Sequence, residues 1–76
     1  MPEQCAAIID QLIERRHDCG MTQTELAKAA SLTQSVIARL ESKKAMPQLD
    51  TLVRVAAALG CALEIVPAAG GVERGD

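Results

Sequence analysis

With 76 residues, 49% of them hydrophobic and none Phe, Tyr or Trp, the chain makes a single domain whose core is aliphatic, a composition that favours packed helices over a sandwich. Its formal net charge of −2 speaks against a broadly basic nucleic-acid binder. Residues 22–54, however, hold five basic and three acidic side chains between two acidic flanks, so any anion-binding face is local and its electrostatic contribution modest.

Residues 3–19 place Cys5, Ile9, Leu12, Ile13, Arg16 and Cys19 on one helical stripe, with Glu3, Asp10, Glu14 and His17 facing away. Gly20 stops this helix. Arg16 is the anomaly on the stripe. A guanidinium there either snorkels to solvent or finds a carboxylate, and Glu41 is the acid that the later chain offers. His17, the one histidine, reads as a surface residue.

Thr22 followed by Glu25 three residues later is a capping box, and Met21 can staple onto Leu26. The second helix runs to about Ala30, with Leu26, Ala27 and Ala30 inward and Thr24, Glu25 and Lys28 outward. Ser31-Leu32 is a turn, after which Thr33 caps a third helix. At 100° per residue, Thr33, Val36, Ile37 and Leu40 share one arc while Gln34, Ser35, Ala38 and Arg39 share the opposite one. Gln and Arg carry the paired groups that match adenine and guanine edges in a major groove, and Ala or Ser permits close approach. An ordinary surface helix would carry Glu and Lys outside, whereas this outer face has no acid. Two short helices joined by a turn of about three residues, the second with this outer face, form the helix-turn-helix pattern.

The loop Ser42-Lys43-Lys44-Ala45-Met46-Pro47 follows, its lysines either merely solvated or placed to neutralise phosphates. Residues 49–59 then predict a helix burying Leu49, Leu52, Val53, Val55, Ala56 and Leu59, with Asp50 and Arg54 outside and Gly60 ending it. Residues 61–66 read as a strand blocked by Pro67. With no second run in the chain to pair with, that strand is expected to form a homodimer through its own copy, lining one face with Cys61, Leu63 and Ile65. The domain is thus drawn as 1–66, and 67–76 as a disordered tail.

Cys5, Cys19 and Cys61 lack the paired spacing of a zinc site and read as buried thiols in a reducing cytoplasm. No leader or membrane-length apolar run is visible, and no nucleophile–base pairing. Neither enzymatic activity, nor a cofactor or metal, nor membrane association is expected.

The run Arg16–Leu59 resembles the helix-turn-helix class of phage repressors and Cro, also called the xenobiotic-response-element (XRE) class. The matching words are Met21-Thr22-Gln23-x-Glu25-Leu26-Ala27, Gln34-Ser35-Val36-Ile37-x-Arg39-Leu40-Glu41, Pro47-x-Leu49-Asp50-Thr51-Leu52 and Ala56-x-x-Leu59-Gly60. The ending from Leu59 to Pro67 is similar to the HigA- and HipB-type antitoxin regulators, in which a short strand replaces the fifth helix and pairs across a dimer.

The resemblance implies an all-α, four- to five-helix lambda-repressor-like fold with a short C-terminal β-strand. It implies that Gln23 supports the first reading residue and touches a phosphate, that Gln34, Ser35, Ala38 and Arg39 face bases, and that Arg16 and Glu41 form a buried ion pair. Gln23, Gln34, Ser35, Ala38 and Arg39, together with Lys28, Thr33, Lys43 and Lys44, make up the expected DNA-binding set, and the Arg16–Glu41 pair is structural. Ser31 and Lys43 stand where that class usually has Gly. The function expected is a cytoplasmic, homodimeric repressor of a near-palindromic DNA operator, with a cognate toxin as a further partner. The alternative is a module of the same fold that binds a partner protein rather than DNA, which the acidic balance favours.

Overall fold

In the computed structural model, which describes residues 2–67, local chemistry marks most helix ends. Helix α1 (Glu3–Asp18) stops where Gly20, at φ +70°, lets the Met21 N–H return to Arg16 O at 3.1 Å. Helix α2 (Gln23–Ala30) opens on a complete capping box. Glu25 N–H donates to Thr22 Oγ1 at 3.1 Å and Thr22 N–H to Glu25 Oε1 at 2.8 Å. It closes around a left-handed Ser31, with Leu32 N–H donating to Ala27 O at 2.8 Å.

Thr33 Oγ1 accepts from Val36 N–H at 3.2 Å and so caps α3 (Gln34–Ser42), which ends at a second left-handed residue, Lys43. Helix α4 (Leu49–Ala58) follows the loop and closes with Cys61 N–H on Ala56 O at 2.8 Å. These four helices are the regular structure among the described residues.

Helix α2 packs on both α3 and α4, and α1 packs on α3. Ile9, Leu26, Ile37 and Val55, one from each helix, are fully buried at the centre, with Leu12, Leu40 and Leu59 around them. Alanines at 27, 30 and 56 are buried too, and their small side chains let α2 lie close to its neighbours. Each large buried side chain is worth about 1.5–3 kcal/mol of transfer free energy. Arg15 Nε reaches Leu59 O at 3.4 Å, tying α1 to the end of α4.

The strand expected at 61–66 is absent: residues 61–67 have no regular structure. A strand is held by a ladder to a neighbour, and the described chain contains no second run to supply one. The apolar faces of α3 and α4 are also narrower than their periodicity suggests. Val36 is at the edge of exposure, and Leu49 and Val53 are 71% and 48% exposed, because the main packing of α4 is against α2, which leaves these side chains uncovered. Nor are the cysteines buried: Cys5 and Cys61 are half-buried and Cys19 is exposed. Cys19 caps α1 and lies beyond its last turn, where the stripe no longer sets its direction. Of the expected disordered tail, 68–76 lies outside the described residues. No described helix is long and apolar enough to cross a membrane.

Candidate nucleic-acid interface

Helix α3 carries no acid in its first turn, and Gln34, Ser35 and Arg39 are exposed along it, with Ala38 half-buried between them. The helix is held from below by Ile37 and Leu40, which are 0% and 3% exposed. A reading face is useful only if its helix cannot rotate, and two buried anchors on the opposite side supply that constraint.

Behind the face lies a polar chain that starts in the core. Arg16 meets Glu41 with two parallel bonds, Nε to Oε2 at 2.7 Å and Nη2 to Oε1 at 3.0 Å. This fork geometry is the strong form of an arginine–carboxylate pair. Arg16 Nη1 also donates to Met21 O at 2.8 Å, and Nη2 lies 3.2 Å from His17 Nε2. The two charged side chains are 11% and 12% exposed, so the pair joins the end of α1 to the end of α3 in a largely dry site. Gln23, the first residue of α2, donates from Nε2 to Glu41 Oε1 at 3.0 Å and accepts at Oε1 from Gln34 Nε2 at 2.7 Å. The structure thereby brings Arg16, Glu41, Gln23 and Gln34 into one network.

The other cations are placed differently. Lys28 and Lys44 are exposed. Lys43 is half-buried, and its Nζ donates to Asp10 Oδ1 of α1 at 2.6 Å. Thr33 uses one hydroxyl lone pair to cap α3. Sequence reasoning missed the Lys43–Asp10 and Gln23–Glu41 contacts, which join residues 33 and 18 positions apart; no local periodicity carries such a signal. It also missed a shallow groove between α3 and α4, bordered by Val36, Arg39, Met46, Pro47 and Thr51.

Residues 12–66 match a protein-family model described as Helix-turn-helix. The chain is also 41% identical over 61 residues to an uncharacterized HTH-type transcriptional regulator of Haemophilus influenzae, covering 80% of this chain and 62% of that protein. The chain belongs to the XRE-type helix-turn-helix family. Antitoxin HigA1 of Mycobacterium tuberculosis is 34% identical over 64 residues, covering 84% of this chain and 43% of that protein. Among solved structures, a toxin–antitoxin module from Streptococcus pneumoniae is similar with a TM-score of 0.71 and 43% identity, over 86% of this chain and 71% of that one. The chain thus spans less than two thirds of the length of these curated relatives.

Helices α2 and α3 are the two helices of the helix-turn-helix pair. The turn between them is the Ser31-Leu32-Thr33 segment, held by the left-handed Ser31 and the Thr33 cap. Near the C-terminal end of the described residues, Leu63 is 38% and Ile65 102% exposed, while Cys61 packs against the core. The residues expected to line one face therefore differ widely in burial within one chain. The segment borders a cleft shared with Ile8, Gln11 and Arg15 of α1.

Proposed function

We propose that this helix-turn-helix chain is a sequence-specific, double-stranded DNA-binding repressor that acts as a homodimer and serves as the antitoxin of a toxin–antitoxin pair. The observation that carries the DNA reading is the exposed Gln34, backed by Gln23 and sharing its helix with exposed Arg39. Gln23 and Gln34 supply amide groups, Arg39 a fork for a guanine edge or a phosphate, and Ser35 and Ala38 the room for close approach. Lys28 and Lys44, exposed and without an ion pair among the described residues, are cations for phosphates, with Lys43 available once it leaves Asp10.

The dimer is supported by the exposed apolar side chains of Leu63, Ile65 and Val66, which a second copy would cover. Domain extents of 1–66 fit this reading, since the helices and the contact segment fall within them. The antitoxin role is supported by similarity to a protein named as an antitoxin and to a toxin–antitoxin module.

The net charge of −2 and the neutralised Lys43 favour a second reading, a module of this fold that binds a protein instead. A gel shift with the DNA upstream of the chain's own gene separates the two. The first reading expects retardation that survives an excess of unrelated duplex. Retardation that unrelated duplex abolishes, or none at all, would favour the second.

A further inference from the structure

We infer that Glu41 is a positioning residue for base reading: its carboxylate fixes the orientation of the Gln23 side-chain amide, and Gln23 in turn fixes that of Gln34. The inference rests on the DNA reading proposed above for Gln34 and deepens it.

A carboxylate can only accept hydrogen bonds, and a guanidinium can only donate them. Glu41 Oε1 accepts from Arg16 Nη2 and from Gln23 Nε2, each at 3.0 Å, while Oε2 accepts from Arg16 Nε at 2.7 Å. The amide of Gln23 therefore has one permitted sense. Turned over, it would set its own oxygen against Glu41 Oε1 at the same 3.0 Å separation, losing a charge-assisted bond and adding repulsion between two acceptors. With its Nε2 turned to Glu41, Gln23 presents Oε1 on the other side. There it accepts from Gln34 Nε2 at 2.7 Å.

The sense of Gln34 is then fixed as well. One of its N–H groups is used, and its second N–H and its Oε1 are free of intramolecular hydrogen bonds among the described residues. One donor beside one acceptor matches the N7 and N6–H2 of adenine, whereas guanine presents two acceptors, N7 and O6, at the same edge. A largely buried carboxylate behind the reading face thus holds the donor and acceptor of Gln34 in one fixed orientation, which favours adenine over guanine. Arg16 keeps that carboxylate in place, itself braced on Met21 O at 2.8 Å.

Side-chain amide hydrogen exchange in the full chain tests the orientation without DNA. The Nε2 protons of Gln23 and Gln34 are expected to exchange more slowly than those of the exposed Gln4, Gln11 and Gln48, and exchange as fast as Gln48 would overturn the inference. The difference should vanish in the double variant Arg16→Met, Glu41→Leu, and shrink in Glu41→Gln, which keeps the side-chain shape. Persistence of full protection in either variant, once folded, would also overturn it.

Selection from a pool of randomised duplexes tests the consequence. The folded double variant should lose about tenfold in adenine-over-guanine preference at the base pair facing Gln34, within the range such bidentate contacts supply, while the base pair read by Arg39 keeps its preference. Unchanged adenine preference, or equal loss at every position, would overturn the positioning role. Failure of the wild-type chain to enrich any sequence would instead overturn DNA reading and its base-selection consequence, and the exchange rates would still decide the amide orientation.

Discussion

Ser31 and Lys43 hold left-handed backbone conformations, with φ of 59° and 60°, at a cost that glycine avoids. Ser31→Gly is therefore expected to raise stability by about 0.5–1 kcal/mol, after allowing for the extra freedom glycine has in the unfolded chain. Lys43→Gly gains the same backbone relief but loses the contact with Asp10, a partly exposed ion pair worth roughly 0–1 kcal/mol. Its net effect should lie near zero. Urea midpoints for the two variants check this contrast, and a destabilised Ser31→Gly protein would contradict it. The Arg16–Glu41 pair works in the opposite direction. Arg16→Met or Glu41→Leu alone strands a charge in a site about one-tenth exposed and should cost roughly 3–5 kcal/mol, while the double replacement should cost much less. Equal small losses from both single variants would show a solvated pair. Arg16 was legible because a guanidinium on an apolar stripe must either snorkel to solvent or find a carboxylate, and Glu41 was the acid on offer. Gln23's bond to Glu41 was not, because it depends on how the ends of two helices meet.

At the scale of elements, the helices were the most legible part of the chain, because their starts and stops are written in neighbouring residues. Thr22 and Glu25 announce α2, Thr33 announces α3, and Gly20 closes off α1. Thr22→Ala is expected to cost about 1 kcal/mol, since it strips the acceptor from Glu25 N–H while leaving the Glu25 side chain in reach of the residue 22 N–H. Thermal unfolding of that variant measures it, and an unchanged midpoint would mean the box adds nothing beyond solvent hydrogen bonds. Burial was less legible than helicity. Periodicity reports which residues share a side, whereas the neighbours decide how much of that side is covered, so Leu49 and Val53 stay exposed on α4 while Val55 is sealed. The missing strand has the same origin: alternation and β-branching describe one strand, but pairing requires another.

For the molecule as a whole, the family was readable from motif spacing across most of the chain, whereas its assembly depends on surfaces beyond a single subunit. Truncation after Gly60 removes Leu63, Ile65 and Val66, the exposed apolar residues of the C-terminal segment. The truncated chain is expected to sediment as a monomer and to lose most of its affinity for a full operator, and a truncated dimer would place the contact elsewhere. Homodimeric reading also fixes a length. Two copies of α3 related by a twofold axis should enter successive major grooves about 34 Å apart, one turn of DNA. Footprinting the DNA upstream of the chain's own gene tests that claim most directly. The expected result is two protected half-sites, related by a near-palindrome and centred one helical turn apart, with protection of the major-groove edges. Uniform protection along the fragment, or no protection at protein concentrations well above those of a specific regulator, would contradict sequence-specific reading by α3.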